Sequence, residues 1–382
     1  MRHDGLHPDG PYDPDPEYND YLRSQGYEAT NPWEHWANSG EAEDGALLNG
    51  WLLAHSDKPA RVPNEHSETP WTTRRAMEFI NEAEGDRRPW CLHLSYIKPH
   101  WPYIVPAPYH DMYGRQSLLR AVRSEAERLD PHPVYGAFMQ NRVARAFSRD
   151  EVRERVLPAY MGLIKQIDDQ FGLLLEFLEA RGLAQSTMIV FTSDHGDYLG
   201  DHWLGEKQLF HDASARVPLI IYDPDPRADG TRGTVTDALV EMIDLAPTFL
   251  EFFGGNPKPQ VLEGRSLLPL LKGETQKQWR RVAVSEFDYS FGLPRILLGT
   301  PVVDCRMVMV TDGRWKMVHT PDFRPMLYDL AADPNDWSIW VTMRHLPESA
   351  PDCARRSFNG FRASRDASPF PSLPRPVPTR LR

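Results

Sequence analysis

The strongest constraint on the fold is a long amphipathic pattern that leads directly into a short apolar one. From 151 to 182, apolar residues recur at intervals of three and four, and Gly182 closes the pattern. This spacing predicts one long helix with a single buried face. The run 187–192 is almost wholly apolar, which is typical of a strand buried on both faces, as in a parallel sheet. A helix followed by such a strand predicts a layered α/β fold.

The rest of the chain continues this alternation and then changes character. Helices are predicted over 67–84 and 235–253, and further strands over 90–96 and 217–222. Together they predict an α/β fold with a mostly parallel sheet between helices. Near the C-terminus, short strands around the turn Asp312-Gly313 predict a smaller antiparallel sheet, with strands at 282–287, 305–311 and 315–319.

These elements divide the chain into three predicted parts. The α/β domain covers 1–275, and its opening to about residue 63 is dense in proline and turn residues, which predicts irregular structure. The antiparallel subdomain covers 276–335. Residues 336–382 contain eight Arg, no Lys, seven Pro and four acidic residues, without a helix or strand period. That composition predicts a disordered tail.

Charge and cysteine content exclude several classes of protein. A net charge of -11 over 382 residues has the wrong sign for a general nucleic-acid binder, although it permits a local basic pocket for one small anion. The three cysteines, Cys91, Cys305 and Cys353, form no CxxC pair, so no disulfide framework or cysteine-based zinc site is predicted. No segment approaches the ~18 apolar residues of a membrane span, and the charge and proline after Met1 do not predict a signal peptide. We expect a cytoplasmic protein that binds neither nucleic acid nor membrane.

A candidate metal site follows the strand at 187–192. Asp194 and His195 come just beyond its carboxyl end, where α/β sheets place their ligands. A carboxylate oxygen and an imidazole nitrogen suit a divalent ion such as Mn, Zn or Ca. Two adjacent residues do not complete a metal site, and the alternative is a polar strand end whose aspartate caps the next turn.

Basic residues on two loops are candidates for binding an anion. Lys207 lies on a glycine-punctuated segment that can fold back over the strand end, where it could neutralise a phosphate or sulfate oxygen. Lys98 and His100 lie on a second loop, and a histidine there can donate a proton to a leaving oxygen. Taken singly, each is more often an ordinary solvated loop residue.

Taken together, these segments resemble the sulfatase branch of the alkaline phosphatase superfamily, and most of all the phosphonate monoester hydrolases. The resemblance covers about 12–335. Its motifs are Lys98-Pro-His100-x-Pro102, Tyr160 to Asp168, Ser193-Asp194-His195-Gly196, Leu199-Gly200-Asp201-His202, Lys207 and Arg216-Val-Pro218, with the stretches 63–71, 286–291 and 315–334.

The resemblance implies roles for individual residues. Asp194 and His195 match two metal ligands of the family, and Lys207 and His100 match the basic residues that hold the ester oxygens and stabilise the leaving group. Lys98 has at best a supporting role. Structural or orienting roles are expected for His202, His211, Asp212 and Arg216, and packing or solvated roles for the helical pair Asp168 and Asp169. The implied activity is hydrolysis of phosphonate, phosphate or sulfate esters, with a small anionic ester as substrate; a homo-oligomer is compatible with the sequence.

The sequence departs from the family at both ends. The family opens with an acidic metal-binding pair and a Cys/Ser-x-Pro-x-Arg segment that supplies a formylglycine nucleophile, and neither is present here. We therefore expect a truncated reading frame with a frameshift near codon 335, low activity or none in the isolated chain, and aggregation through an exposed sheet edge. The alternative function is a non-catalytic remnant that binds a divalent ion or an anion.

Overall fold

The computed structural model describes residues 17–86, 88–274 and 279–335. They form two compact units. The first contains 17–129, 138–207 and 216–232, and the second contains 130–137, 208–215 and the described residues from 233 to 335. The three-part division made from the sequence stays a prediction. The tail predicted over 336–382, Cys353 included, lies outside the described residues.

Helices and strands alternate from 189 to 311, after a series of consecutive helices. The helices are α1 (Glu17–Ser24), α2 (Glu68–Asp86), α3 (Ala126–Leu129), α4 (Pro133–Met139), α5 (Arg142–Phe147), α6 (Asp150–Ala180), α7 (Asp212–Ala215), α8 (Leu245–Phe252), α9 (Leu268–Leu271) and α10 (Leu293–Leu298). The strands are β1 (Ser39–Glu41), β2 (Leu47–Asn49), β3 (Ile189–Thr192), β4 (Leu219–Tyr222), β5 (Ala283–Asp288), β6 (Arg306–Thr311), β7 (Trp315–His319) and β8 (Met326–Asp329).

The long helix α6 confirms the predicted pattern at 151–182. Part of its apolar stripe is buried, including Leu163, Leu174 and Leu178, whereas Ile164 is 46% exposed. Leu174 and Leu178 pack in one cluster with Ile80 of α2. Gly182 adopts a left-handed φ of 69° just after the helix, and its N–H donates to the Glu179 carbonyl at 2.9 Å. This geometry ends the helix because glycine has no Cβ to oppose it. Despite the length of α6, no helix within the described ranges is long and apolar enough to cross a membrane.

The strand after α6 differs from its prediction in pairing and burial. β3 pairs antiparallel with β4, with Ile189 opposite Tyr222, and these two strands form a separate sheet. The expected burial of 187–192 on both faces is wrong, since β3 is half-buried and Ile220 of β4 is 64% exposed. Two strands alone cannot cover both of their faces. All strand pairs of the described chain are antiparallel, apart from one isolated parallel bridge between Pro59 and Val105.

Two other predictions need correction. Residues 90–96 are not a strand, although their exposure alternates as in a strand, because the described residues supply no partner for their backbone. The helix predicted over 235–253 is limited to a short 3₁₀ turn and α8, and 234–240 has no regular secondary structure.

The opening segment is more ordered than predicted. Within 17–63 it contains α1 and the hairpin β1–β2, in which Ser39 pairs with Asn49. The rings of Tyr18, Trp33 and Trp71 are buried in one core cluster. Short elements held by large aromatic side chains leave little periodicity in the sequence.

The second unit contains the predicted antiparallel sheet. Its strands follow the order β5-β6-β7-β8, and the turn at Asp312-Gly313 joins β6 to β7. The Asp312 Oδ1 accepts the N–H groups of Arg314 and Trp315, and Gly313 takes a left-handed φ of 89°. Strand β8 was missed. The α/β class and this C-terminal sheet are confirmed.

Candidate active site

Asp194 and His195 lie directly after β3, as the sequence predicts. Asp194 Oδ1 accepts the backbone N–H of His195 at 2.9 Å, and its Oδ2 lies 3.3 Å from His195 Nε2. The side chain of Asp194 is 83% exposed and that of His195 is 30% exposed. The pair therefore faces solvent at the end of the strand.

The donor chemistry of this pair fits a divalent cation. His195 Nδ1 lies 2.8 Å from the Gly196 carbonyl oxygen, so Nδ1 carries the proton in the neutral ring. The Nε2 lone pair then faces the Asp194 carboxylate, and two acceptors oppose each other at 3.3 Å. A metal bonds such nitrogen and oxygen atoms at about 2.0–2.2 Å, which is compatible with this separation. The local geometry thus suits either a shared cation or a proton on His195.

The loop after 90–96 separates Lys98 from His100. Lys98 is buried, and its Nζ donates to Asn38 Oδ1 and to the Pro102 carbonyl, both at 2.7 Å. Burial lowers the pKa of Lys98 to about 8, although the charge of Glu68 opposes the shift. The buried Lys98 therefore stabilises the loop through these two hydrogen bonds, whereas His100 lies at the surface.

His100 and Lys207 meet in the structure. Lys207 Nζ donates to His100 Nε2 at 3.2 Å, and His100 Nδ1 donates to the Trp101 carbonyl at 2.5 Å. The pKa of His100 is lowered by partial desolvation of its ring, with further lowering from the charges of Lys207, Lys98 and His195 and opposition from the Trp101 bond. The free pair is thus a neutral imidazole beside an ammonium group.

Two acidic groups that the sequence interpretation missed lie in the same electrostatic neighbourhood. Tyr103 donates its hydroxyl to Asp197 Oδ2 at 2.6 Å, and burial raises the pKa of Asp197. Burial also raises the pKa of Glu206, while the charges of Lys207 and His195 lower it. The charges of His195 and Lys207 both act on the Glu206 carboxylate, and that these residues form one site stays a prediction. Asp197 lies two residues after His195, and this position in the sequence could have marked it as a candidate site residue.

The other predicted polar residues have structural partners. His202 Nδ1 lies 2.6 Å from Glu127 Oε1, and Lys316 donates to Asp212 Oδ1 at 2.7 Å. His211 makes an edge contact with the ring of Tyr135, with the centroids 5.0 Å apart. On α6, Lys165 forms ion pairs with both Asp168 and Asp169, and Tyr109 donates to Asp169 at 2.8 Å. The structural roles expected for these residues stay predictions.

Family models match most of the described chain. The model named Sulfatase matches residues 7–255. A second model, N-sulphoglucosamine sulphohydrolase, C-terminal, matches residues 200–346. The first match includes all four predicted site residues.

Curated relatives and solved structures agree with these models. The chain is 33% identical to the multifunctional alkaline phosphatase superfamily protein PehA of Trinickia caryophylli, over 88% of this chain and 66% of the relative. It is 32% identical to an arylsulfatase of Clostridium perfringens, over 65% of this chain and 49% of the relative. The phosphonate monoester hydrolase SpPMH from Silicibacter pomeroyi superposes with a TM-score of 0.77 at 28% identity, covering 92% of this chain and 68% of that one. The chain thus spans about half to two thirds of the length of these relatives.

Proposed function

We propose, since the chain belongs to the sulfatase family, that it carries the anion-binding part of a metal-dependent ester hydrolase. The observation that carries the proposal is the contact between Lys207 Nζ and His100 Nε2 at 3.2 Å. An ammonium and a neutral imidazole beside each other form a site for an anion that the lysine can bind directly.

The same pair supplies the proton chemistry. An ester oxyanion that accepts hydrogen bonds from Lys207 offsets the cationic charge that lowers the pKa of His100. His100 can then take up a proton at Nε2 and donate it to the oxygen of the leaving group. The hydrogen bond from Nδ1 to the Trp101 carbonyl fixes the ring for this role.

Asp194 and His195 are the residues that would hold a divalent ion. When bound, such an ion stabilises negative charge on the ester oxygens and lowers the pKa of an attacking group. The mixed oxygen and nitrogen donors are compatible with Mn, Zn or Ca. The His195 bond to the Gly196 carbonyl orients its ring and leaves Nε2 available.

The substrate class is a small anionic ester of phosphorus or sulfur. The phosphonate monoester hydrolase from Silicibacter pomeroyi superposes on this chain with a TM-score of 0.77 at 28% identity. This similarity supports phosphonate or phosphate esters as substrates.

The test combines binding of inorganic phosphate with turnover. Calorimetry should show phosphate binding that Lys207→Ala weakens at least about tenfold, because the mutation removes a charge-assisted hydrogen bond. Lys165→Ala is the matched control, since Lys165 is a lysine of α6 that forms ion pairs with Asp168 and Asp169. With Mn added, an aryl phosphonate monoester should be hydrolysed above a blank and faster than an aryl sulfate. Equal phosphate affinity in Lys207→Ala would contradict the anion site.

One observation favours a second candidate, a non-catalytic protein that binds an ion or anion. The Asp194 side chain is 83% exposed, and a metal held by two ligands is held weakly. Phosphate binding that depends on Lys207, without turnover of either ester in the presence of Mn, would select this alternative.

A further inference from the structure

The segment that leads to Lys207 has an unusual backbone. Leu199, His202, Trp203 and Glu206 all have left-handed φ values, of 46°, 51°, 60° and 59°. Residues with a Cβ rarely adopt this region because it brings the Cβ too close to the backbone, so each of the four carries backbone strain. The segment can keep this conformation only if its surroundings hold it there.

The segment closes on itself immediately before Lys207. The Tyr198 N–H donates to the Glu206 carbonyl at 2.8 Å, and the Gly200 N–H donates to the Leu204 carbonyl at 2.9 Å. Because Glu206 precedes Lys207, this closed loop fixes the backbone from which Lys207 reaches His100.

Residues 122–127, which we call the clamp, hold the closed loop from outside. His202 N–H donates to the Val122 carbonyl at 2.8 Å, and the Trp203 indole donates to the Ser124 carbonyl at 2.7 Å. From the clamp, Glu127 Oε1 lies 2.6 Å from His202 Nδ1, and both side chains are at most 10% exposed. The second Glu127 oxygen accepts the Ser124 N–H at 2.6 Å, so this carboxylate joins the clamp to the loop.

We propose that Glu127 is a positioning residue for the pair formed by His100 and Lys207. Its hydrogen bond to His202 keeps the closed loop in its left-handed conformation, and the loop keeps Lys207 Nζ against His100 Nε2. The role of this pair in catalysis rests on the proposed function. The contacts that connect Glu127 to Lys207 through the closed loop do not depend on that function.

The test measures the pKa of His100 by NMR on the full chain without ligand, with His100→Gln used to assign the signal. Lys207→Ala removes the lysine charge and should raise the pKa of His100. The charges of Lys98, His195 and Asp197 also act on His100, and this variant leaves them unchanged. Glu127→Ala should raise it equally, and the double variant should show no further rise. Glu127→Gln should give a value between those of Glu127→Ala and the wild type, because its single amide oxygen can accept the His202 Nδ1–H but cannot also accept the Ser124 N–H. Glu125→Ala is the matched control, since Glu125 is 73% exposed on the same segment.

The outcomes separate this proposal from the proposed function. A pKa of His100 that stays at the wild-type value in Glu127→Ala, or a further rise in the double variant, would overturn the positioning role. If Glu127→Ala fails to fold, Glu127→Asp applies the same test, because the shortened carboxylate cannot reach His202 from the same backbone. Absence of phosphate binding in the wild type would count against the proposed function alone.

Discussion

His132 should make the second unit sensitive to acid. The residue is 1% exposed, its Nε2 donates to the Arg324 carbonyl at 2.8 Å, and its Nδ1 has no hydrogen-bond partner among the described residues. Burial lowers the pKa of His132 from 6.5 to about 4, and the Arg324 charge contributes to the same shift, while the bond to the Arg324 carbonyl opposes it. As the pH falls from 6.5 to about 4, His132 is protonated in the unfolded chain but not in the folded chain. The free energy of unfolding is therefore highest above pH 6.5 and decreases as the pH falls.

The size of the effect follows from the two pKa values. A difference of 2.5 between 6.5 and about 4 corresponds to about 3 kcal/mol lost on acidification. Urea unfolding at pH 7, 6, 5 and 4 should show that His132→Gln, which cannot titrate, loses about 3 kcal/mol less than the wild type over this range. His93→Gln, at an exposed position, is the control and should follow the wild type. Parallel pH profiles for wild type and His132→Gln would refute the reasoning.

Two further predictions concern buried groups of the first unit. Burial lowers the pKa of Lys98 from 10.5 to about 8, so the folded chain loses this proton at a lower pH than the unfolded chain does. The stability of the wild type should therefore rise relative to that of Lys98→Met as the pH increases from 8 to 10.5. A constant difference between their urea midpoints would contradict this. In α6, a Cβ at Gly162 would lie 2.3 Å from the Tyr109 carbonyl oxygen, so Gly162→Ala should destabilise the fold by more than ~1 kcal/mol. A Cβ at Gly172 would have no neighbour within 4 Å, so Gly172→Ala should stabilise the helix by up to ~1 kcal/mol. Equal shifts in melting temperature for the two variants would contradict close packing at Gly162.

The sequence predicted best those elements whose formation depends only on residues close together in the chain. The helix α6 carries its period over 31 residues, and its end at Gly182 depends on one local φ angle. The position of Asp194 and His195 after β3 follows from chain order alone. These features need no knowledge of distant partners.

Other features depend on contacts that sequence patterns do not contain. Residues 90–96 alternate as a strand would, but a strand also needs a neighbour, and the described residues supply none. The burial of Lys98 beside Asn38 joins residues 60 positions apart. The link from Glu127 to His202 spans 75 positions, so no local motif could have marked Glu127.

The most direct test of the central claim is calorimetric titration of the chain with Mn. The account predicts binding that Asp194→Ala abolishes and that Asp168→Ala preserves, since Asp168 is 72% exposed and pairs with Lys165 on α6. Binding that is unchanged in Asp194→Ala, or lost equally in Asp168→Ala, would contradict the assignment of the metal pair.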